Sequence, residues 1–279
     1  MPYVGTLGIA REHPGQAMEL FLSSGASGDP AGALVDAFAY LKEQPYVRGG
    51  RTGFMGFSAG ASLAALAAAD TRIRDEVAFL HWFGGYYNAE DTVLALLTGE
   101  VGAGEDTRSW EPVAWATERV RRALIDSIAQ DLDEAEALEE LLSGLSDSRS
   151  PPSERLLALS PGALEGYLLA STTSSQTART ILEGLPGGLV ATLRRLSPET
   201  YAQDIHAPTF VLHDVGDTFI PPVESERFWS ALPPERRAAY AQVSLFDHVT
   251  IQGPRDWGGF ASGMIRLIGH LTVFLLSID

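Results

Sequence analysis

The segment RTGFMGFSAGASLAALAA, residues 51–68, constrains the fold of this chain more than any other feature. An apolar run ends in Gly56-Phe57-Ser58-Ala59-Gly60, and an alanine-rich run follows. This pattern predicts a buried strand that turns sharply into a helix of small residues. Glycines two residues before and after the serine relieve crowding in such a turn, which lifts the serine hydroxyl above the end of the strand. The N–H group of Ala59 would then be available to donate to an oxyanion.

Helical and strand-like segments alternate on both sides of this segment. Residues 30–46 carry apolar residues at helical spacing, and EVAFLHWFGGYY (76–87) is typical of a strand that ends in paired glycines. Towards the C-terminus a strand is expected at PTFVLHD, a helix at SERFWSALP, a strand at YAQVSLF and then a terminal helix. This alternation predicts an α/β fold, with a mostly parallel sheet and helices on both of its faces.

Residues 88–200 interrupt the alternation with helical sequence that contains no convincing strand. ERVRRALIDSIAQDLDEAEALEELLSGL (118–145) predicts a long amphipathic helix, and the turn-rich SDSRSPPS follows it. The sequence therefore predicts a core formed by residues 1–87 and 201–279, with an inserted all-helical cap at residues 88–200.

Composition narrows the classes of function. A net charge of -16 argues against a nucleic-acid or anionic-membrane partner. The absence of cysteine excludes thiol catalysis, disulfides and thiolate metal sites. No signal-peptide pattern is evident, so we expect a cytoplasmic protein. The apolar stretch 264–279 is too short and too interrupted to span a bilayer, so we expect a helix packed on the core and no membrane span.

A serine nucleophile needs a base and an acid that orients the base. His248, in SLFDHVTIQGP, directly follows the last predicted strand, where a loop would carry it over the end of the sheet. Asp214 and Asp217, in HDVGDTFIPP, are both candidates for the acid. A carboxylate in the loop turns towards a neighbouring histidine more easily than one at the strand end, which favours Asp217 as the acid and Asp214 as a turn cap. We expect the remaining histidines to be structural: His13, His81, His206, His213 and His270.

The HDVGD cluster also offers one imidazole and two carboxylates to a metal ion. No second histidine lies at a useful spacing and H-E-x-x-H is absent, so no metal site is expected. Walker and other phosphate-binding glycine patterns are also missing, so we expect no cofactor.

Three segments, in this order, resemble the α/β-hydrolase superfamily. RTGFMGFSAGASLAALAA resembles its nucleophile strand, elbow and helix, APTFVLHDVGDTFIPPVESERF its acid segment, and FDHVT its histidine loop. The resemblance runs from about Pro30 to the C-terminus, apart from the helical insert, which resembles the variable cap of the family. It implies that Ser58 is the nucleophile, Asp217 the acid and His248 the general base, and that the Ala59 N–H group is half of the oxyanion hole.

The chain departs from the family pattern before the nucleophile. Members of the family normally have several strands there, and a loop often written HG or HGGG supplies the second oxyanion donor; no such loop precedes Ser58. The segment HWFGGYY is an alternative source of polar groups. We therefore expect Phe57, Trp82, Tyr86 and Tyr87 to line an acyl pocket, although a glycine turn with packed aromatics explains the same residues.

The resemblance and the motifs together predict a serine hydrolase that cleaves small carboxylic esters with short to medium acyl chains. A peptidase or thioesterase on the same fold remains open, because a fold does not fix a reaction. So does a non-catalytic or weakly active hydrolase-like protein with a binding or assembly role. A sheet that lacks its early strands would leave an open edge, which favours a homodimer.

Overall fold

The centre of the structure, a computed structural model, is a parallel β-sheet. The structure describes residues 29–45, 47, 52–102, 104–129, 132–144, 151–185, 188–248, 250–251 and 257–278. The predictions for residues 1–28 lie outside this part of the chain. The helices and strands, in chain order, are α1 (Pro30–Lys42), β1 (Phe54–Phe57), α2 (Ala59–Ala68), β2 (Leu80–Phe83), α3 (Ala89–Thr98), β3 (Glu100–Val101), β4 (Arg108–Ser109), α4 (Ala114–Ile128), α5 (Leu132–Ser143), α6 (Ser153–Leu157), α7 (Pro161–Ser171), α8 (Ser175–Gly184), α9 (Leu189–Arg195), β5 (Thr209–Asp214), α10 (Val223–Ala231), β6 (Arg237–Val243), β7 (Phe246–Asp247), β8 (Thr250–Ile251) and α11 (Trp257–Ile278).

The described chain forms two compact units. Residues 29–89 and 194–278 belong to the first unit, and residues 90–193 belong to the second. The first unit contains the four-stranded sheet, in the order β1-β2-β5-β6 with every neighbouring pair parallel. The fold class is therefore α/β, which confirms the prediction.

Helices cover both faces of this sheet because its buried strands are apolar on both sides. On β2, Trp82 joins the cluster formed with α1, α2 and α10, while its neighbour Phe83 joins the cluster on the opposite face. Phe260 and Met264 of α11 pack against that second cluster. The alanines of α2 allow this helix to lie close to β1 and β2, because they add almost no side-chain volume between helix and sheet.

Helix α11 differs from its prediction in length. It has 22 residues, about 33 Å at 1.5 Å per residue. By length and composition, Trp257–Ser277 is long and apolar enough to cross a membrane, and 17% of that window is buried. The prediction that the terminal segment is too short was therefore wrong on length, because the helix begins seven residues before Met264. The other prediction for this segment is confirmed: the helix packs on the sheet, with Gly263, His270 and Phe274 on its buried side.

A histidine pair is buried between this helix and the sheet. The Nε2 atoms of His81 on β2 and His270 on α11 are 3.2 Å apart, and the side chain of Phe274 packs against the His81 ring. Burial lowers the pKa of His81 to about 3, helped by its histidine neighbour, and burial lowers the pKa of His270 to about 4. Both rings are thus held neutral in the folded protein.

We predict that this pair makes the fold lose stability in mild acid. In the unfolded chain each ring binds a proton below about pH 6.5, and the folded protein resists that protonation. The contribution of the histidine pair to the free energy of unfolding is therefore fully present above about pH 6.5 and is lost as the pH falls towards 4. The expected slope is up to about 1.4 kcal/mol per pH unit for His81, and somewhat less for His270, because its pKa in the folded protein is lowered less.

Urea unfolding between pH 7 and pH 4.5 measures this effect. The double variant H81L/H270L should show a flatter dependence of unfolding free energy on pH than the wild type. The variant H206Q, which replaces a half-buried histidine outside this pair, serves as the control. An unchanged slope in the double variant would show that the pair does not cause the acid sensitivity.

The second unit is mainly helical. Helix α7 packs against α4, α5 and α8, and Gly166 of α7 admits the side chain of Ile128. Two features differ from the sequence prediction. The long helix over 118–145 is divided into α4 and α5, because Ala129 adopts an extended backbone (φ -65°, ψ 137°) that ends the first helix. Strands β3 and β4 also form a short antiparallel pair within a block that was expected to be entirely helical.

Candidate active site

Ser58 lies in a strained turn between β1 and α2. Its backbone angles are φ 55° and ψ -138°, and a positive φ is uncommon for a residue other than glycine. Its N–H group donates to the Phe83 carbonyl of the neighbouring strand (2.9 Å), and its carbonyl accepts from Ala61 N–H (2.9 Å). Such strain costs about 1–3 kcal/mol and persists only where the surrounding structure imposes it. The Ser58 side chain makes no capping bond to α2, so its hydroxyl is not used in holding the helix.

The two glycines of the motif have unequal roles. A Cβ atom on Gly56 would lie 2.4 Å from Ala61 Cα and 2.6 Å from Gly60 O, so backbone would have to move. A Cβ atom on Gly60 would meet no described atom within 4 Å. The close approach of strand and helix therefore explains the first glycine, whereas packing among the described atoms does not explain the second.

We predict that G56A destabilises the protein and that G60A does not. Overpacking of this kind costs about 1–3 kcal/mol, and more where backbone must shift. Alanine at position 60, in the first turn of α2, gains helix propensity over glycine. Both variants replace glycine by alanine, one two residues before Ser58 and the other two residues after it. Thermal and urea unfolding measure the change in stability that each causes. Equal destabilisation by both changes would contradict the unequal roles assigned here.

Asp217 and His248 are in direct contact. Nδ1 of His248 lies 2.7 Å from Oδ2 of Asp217, and both side chains are almost fully buried. The other carboxylate oxygen, Oδ1, accepts from the N–H groups of Phe219 (2.8 Å) and Ile220 (3.0 Å). The Phe219 ring also stacks on the imidazole with ring centroids 4.7 Å apart. The loop after β5 therefore fixes both the carboxylate and the plane of the ring that it faces.

The turn between β7 and β8 carries His248. Phe246 pairs with Ile251, and Asp247 pairs with Thr250, which leaves a two-residue connection. His248 has φ 58°, as the first position of the favoured two-residue hairpin turns requires. The strained backbone at this position aims the ring back towards the loop that holds Asp217.

The charge on Asp217 fixes the tautomer of this histidine. Burial acts to raise the pKa of the carboxyl, but the imidazoles of His248 and His213 outweigh burial and hold that pKa well below its usual value. An ionised carboxylate only accepts hydrogen bonds, so Nδ1 of His248 carries the shared hydrogen. Nε2 is then the basic nitrogen; it is buried and has no hydrogen-bond partner among the described residues.

The three candidate catalytic residues all follow the carboxyl ends of parallel strands. Ser58 follows β1, Asp217 follows β5, and His248 follows β6 and the short strand β7. Parallel strands present these ends at one edge of a sheet, where ligand sites of open α/β sheets lie. The ring of Phe83 contacts both Phe57 and Phe246 at this edge (5.6 and 5.1 Å between centroids). Asp217 and His248 are thus brought into contact, and Ser58 ends a strand at the same edge, without a hydrogen bond to His248 among the described atoms.

The Asp214 carboxylate accepts hydrogen bonds from backbone N–H groups and makes no hydrogen bond to a histidine among the described residues. Its Oδ1 accepts from Gly216 N–H (2.8 Å), and its Oδ2 accepts from the N–H groups of Leu245 and Phe246 (both 2.7 Å). These bonds join the loop after β5 to the segment that precedes His248, as expected for a turn cap.

The aromatic residues predicted to line a pocket differ in exposure. Trp82 is 0% exposed and stacks on Phe228 with centroids 4.9 Å apart, so it is a core residue, which corrects its prediction as a pocket residue. Tyr86 is also buried, and burial raises the pKa of its hydroxyl well above the usual range. Phe57 and Tyr87 are half-buried and remain candidates for contact with a substrate.

The loop after β2 is held in place by two side chains. The Ser62 hydroxyl donates to the Tyr86 carbonyl (2.7 Å) and accepts from its N–H group (2.8 Å). The Glu224 carboxylate accepts from the N–H groups of Tyr87 (2.9 Å) and Asn88 (2.8 Å). This loop is therefore a rigid part of the sheet edge.

The chain is similar to known proteins in structure but matches none of the known sequence families. No family model matches the chain, and no curated protein matches it. The chain is similar to several solved structures, at low sequence identity. One is a meta-cleavage product hydrolase of Pseudomonas fluorescens, with 13% identity, 94% of this chain and 83% of that chain covered, and a TM-score of 0.38. A protein of Mycobacterium tuberculosis proposed to be a non-heme bromoperoxidase has 18% identity, 92% and 78% coverage, and a TM-score of 0.40.

A third similar structure is much larger than this chain. The acylaminoacyl peptidase of Pyrococcus horikoshii has 14% identity and a TM-score of 0.38, and 76% of this chain matches 22% of that one. Likeness at this level does not assign an activity.

Proposed function

We propose that the chain is a serine hydrolase of the α/β-hydrolase superfamily that cleaves carboxylic esters through an acyl-enzyme. The contact between Asp217 Oδ2 and His248 Nδ1 supports this proposal most strongly. An ionised, fully buried acid holds a histidine in the tautomer of a general base, at the sheet edge where Ser58 ends its strand. A structural histidine needs no such arrangement, because any hydrogen-bond acceptor would satisfy its Nδ1–H group.

In the proposed reaction, Ser58 Oγ attacks the ester carbonyl while Nε2 of His248 takes the hydroxyl proton. The imidazolium that forms is stabilised by Asp217 and returns the proton to the leaving alcohol. Water then attacks the acyl-enzyme by the same route in reverse. The Ala59 N–H group is the first on α2 and has no acceptor within the helix, so it donates to the oxyanion at the helix N-terminus.

Two further assignments belong to this proposal. Phe57 and Tyr87 contact the acyl chain, since both are half-buried and adjoin the ends of β1 and β2. Residues 90–193 are the cap, since they form a compact helical unit inserted in sequence between β2 and β5.

Hydrolysis of p-nitrophenyl esters by the wild-type protein tests the proposal. A series from acetate to octanoate should show turnover that is highest for short or medium acyl chains. A fluorophosphonate probe should form one adduct, on the peptide that contains Ser58. If the folded protein neither hydrolyses these esters nor reacts with the probe, the enzyme assignment is wrong and a binding role takes its place.

A further inference from the structure

A second histidine touches the same carboxylate oxygen as His248. His213 is the penultimate residue of β5 and is 0% exposed. Its Nε2 atom lies 3.2 Å from Asp217 Oδ2 and 3.1 Å from the carbonyl oxygen of Ile220. Sequence reasoning assigned this residue a structural role, although its spacing of four residues from Asp217 across the end of a strand allows the contact.

The two acceptors identify the protonated nitrogen of this ring. A carbonyl and an ionised carboxylate can only accept, so Nε2 of His213 carries a hydrogen that both of them share. The other nitrogen, Nδ1, is buried without a hydrogen-bond partner among the described residues. His213 is therefore a donor whose hydrogen is directed at the carboxylate of Asp217.

Two imidazole N–H groups thus compete for one oxygen. Each donor stabilises the negative charge of Asp217 and makes the carboxylate a weaker acceptor for the other donor. The remaining oxygen, Oδ1, is occupied by the N–H groups of Phe219 and Ile220. The strength of the hydrogen bond between Asp217 and His248 therefore depends on whether His213 also donates to the same oxygen.

We infer that His213 is a positioning residue that holds Oδ2 of Asp217 towards His248 and sets the lower pH limit of the reaction. This inference rests on the proposed hydrolase function. With the His213 donor in place, the carboxylate pulls less strongly on the His248 imidazolium, which gives up its proton at a lower pH. Without that donor, His248 stays protonated, and inactive as a base, to a higher pH.

Three neighbouring side chains are either engaged with backbone or have no titratable group. Asp214, from the same strand, directs its carboxylate at backbone N–H groups. Phe219 from the loop stacks on His248, and Trp82 from β2 lies 6.0 Å from the His213 ring between centroids; neither titrates. Two titratable side chains, His213 and His248, contact Asp217.

A pair of variants of similar size separates the donor from the space it fills. Glutamine and methionine have similar lengths and both replace the ring, but only glutamine carries an N–H donor near the position of Nε2. The dependence of kcat/KM on pH, with p-nitrophenyl butyrate as substrate, should show its acid limb moved up by about one pH unit in H213M. The acid limb of H213Q should stay close to that of the wild type.

The same comparison can be made without turnover. Proton NMR of the histidine ring, assigned with H248N, follows the titration of His248 in the wild type, H213Q and H213M. The expected result is an upward shift in H213M alone. This readout still tests the positioning role if the wild type proves not to hydrolyse esters, in which case only the proposed function fails.

Two results would overturn the inference. Equal shifts in H213M and H213Q would mean that the ring acts through packing and not through its hydrogen bond. No shift in either variant would mean that Asp217 does not transmit the change. If H213M does not fold, H213N replaces it, because the shorter amide places no donor at the position of Nε2.

Discussion

Replacement of Ser58 by alanine is expected to abolish both ester hydrolysis and fluorophosphonate labelling, with kcat lowered by a factor of about 10⁴ to 10⁶. The hydroxyl supplies the atom that forms the acyl bond, and the helix N-terminus and histidine that remain give only a small residual rate. The fold should be unaffected, because the Ser58 side chain makes no capping bond and alanine meets the same backbone strain at φ 55°. Unchanged thermal unfolding beside lost turnover is therefore the expected pair of measurements.

Ser62 provides the matched control, one helical turn further along α2. Its hydroxyl makes two hydrogen bonds to the backbone of Tyr86, and S62A should cost about 1–3 kcal/mol of stability for the buried partners left unsatisfied. Labelling of Ser58 should persist in that variant below its unfolding temperature. If S58A keeps labelling and turnover while S62A loses them, Ser58 is not the nucleophile.

Much of the fold could be predicted because local pattern and tertiary role agree in this chain. The run from Phe54 to Ala68 has a short apolar segment that forms the strand, a glycine where the backbones meet, and small residues where helix and sheet approach. The strand Thr209–Asp214 is apolar on both sides, as the burial of both its faces requires. In such segments the hydrophobic pattern is sufficient, and the parallel sheet follows from the alternation.

The predictions were wrong where the structure of a segment depends on tertiary contacts that its local sequence pattern does not contain. Helical periodicity continues through Ala129, yet the backbone there is extended and the helix ends. The terminal helix begins at Trp257, seven residues before Met264, although Gly258 and Gly259 have low helix propensity. Trp82 was expected at a pocket because of its neighbours in sequence, whereas its place on β2 directs it to the face covered by α10.

The residue types of the candidate site and the pairing of Asp217 with His248 could be predicted, but the contact of His213 could not. The order serine, aspartate, histidine along the chain suggested Asp217 and His248, which the structure places in contact. The contact of His213 with the same carboxylate had no signal in the sequence beyond a four-residue spacing. The turn after β5, in which Asp217 N–H donates to the Asp214 carbonyl (3.3 Å), brings the acid back to that ring.

Replacement of Asp217 by asparagine is expected to lower kcat by about 10⁴ while leaving a folded protein. The amide that replaces Oδ2 can present an N–H group to His248 Nδ1, which then has to accept a hydrogen bond. The ring would adopt the tautomer with its hydrogen on Nε2 and could no longer take the proton of Ser58. KM should change little, because the acid contacts the ring of His248 and not the substrate.

Asp214 separates this catalytic loss from the general cost of removing a buried carboxylate. The two acids lie three residues apart, each accepts backbone N–H groups, and each is 1% exposed. D214N should lower the unfolding temperature, since it weakens three bonds that hold the loops near the site, but it should retain most of kcat where it is folded. A larger loss of kcat in D214N than in D217N would show that Asp214, and not Asp217, orients the histidine. We expect D214N to lose stability and D217N to lose kcat. This difference would show that the carboxylate in contact with His248 acts through that histidine.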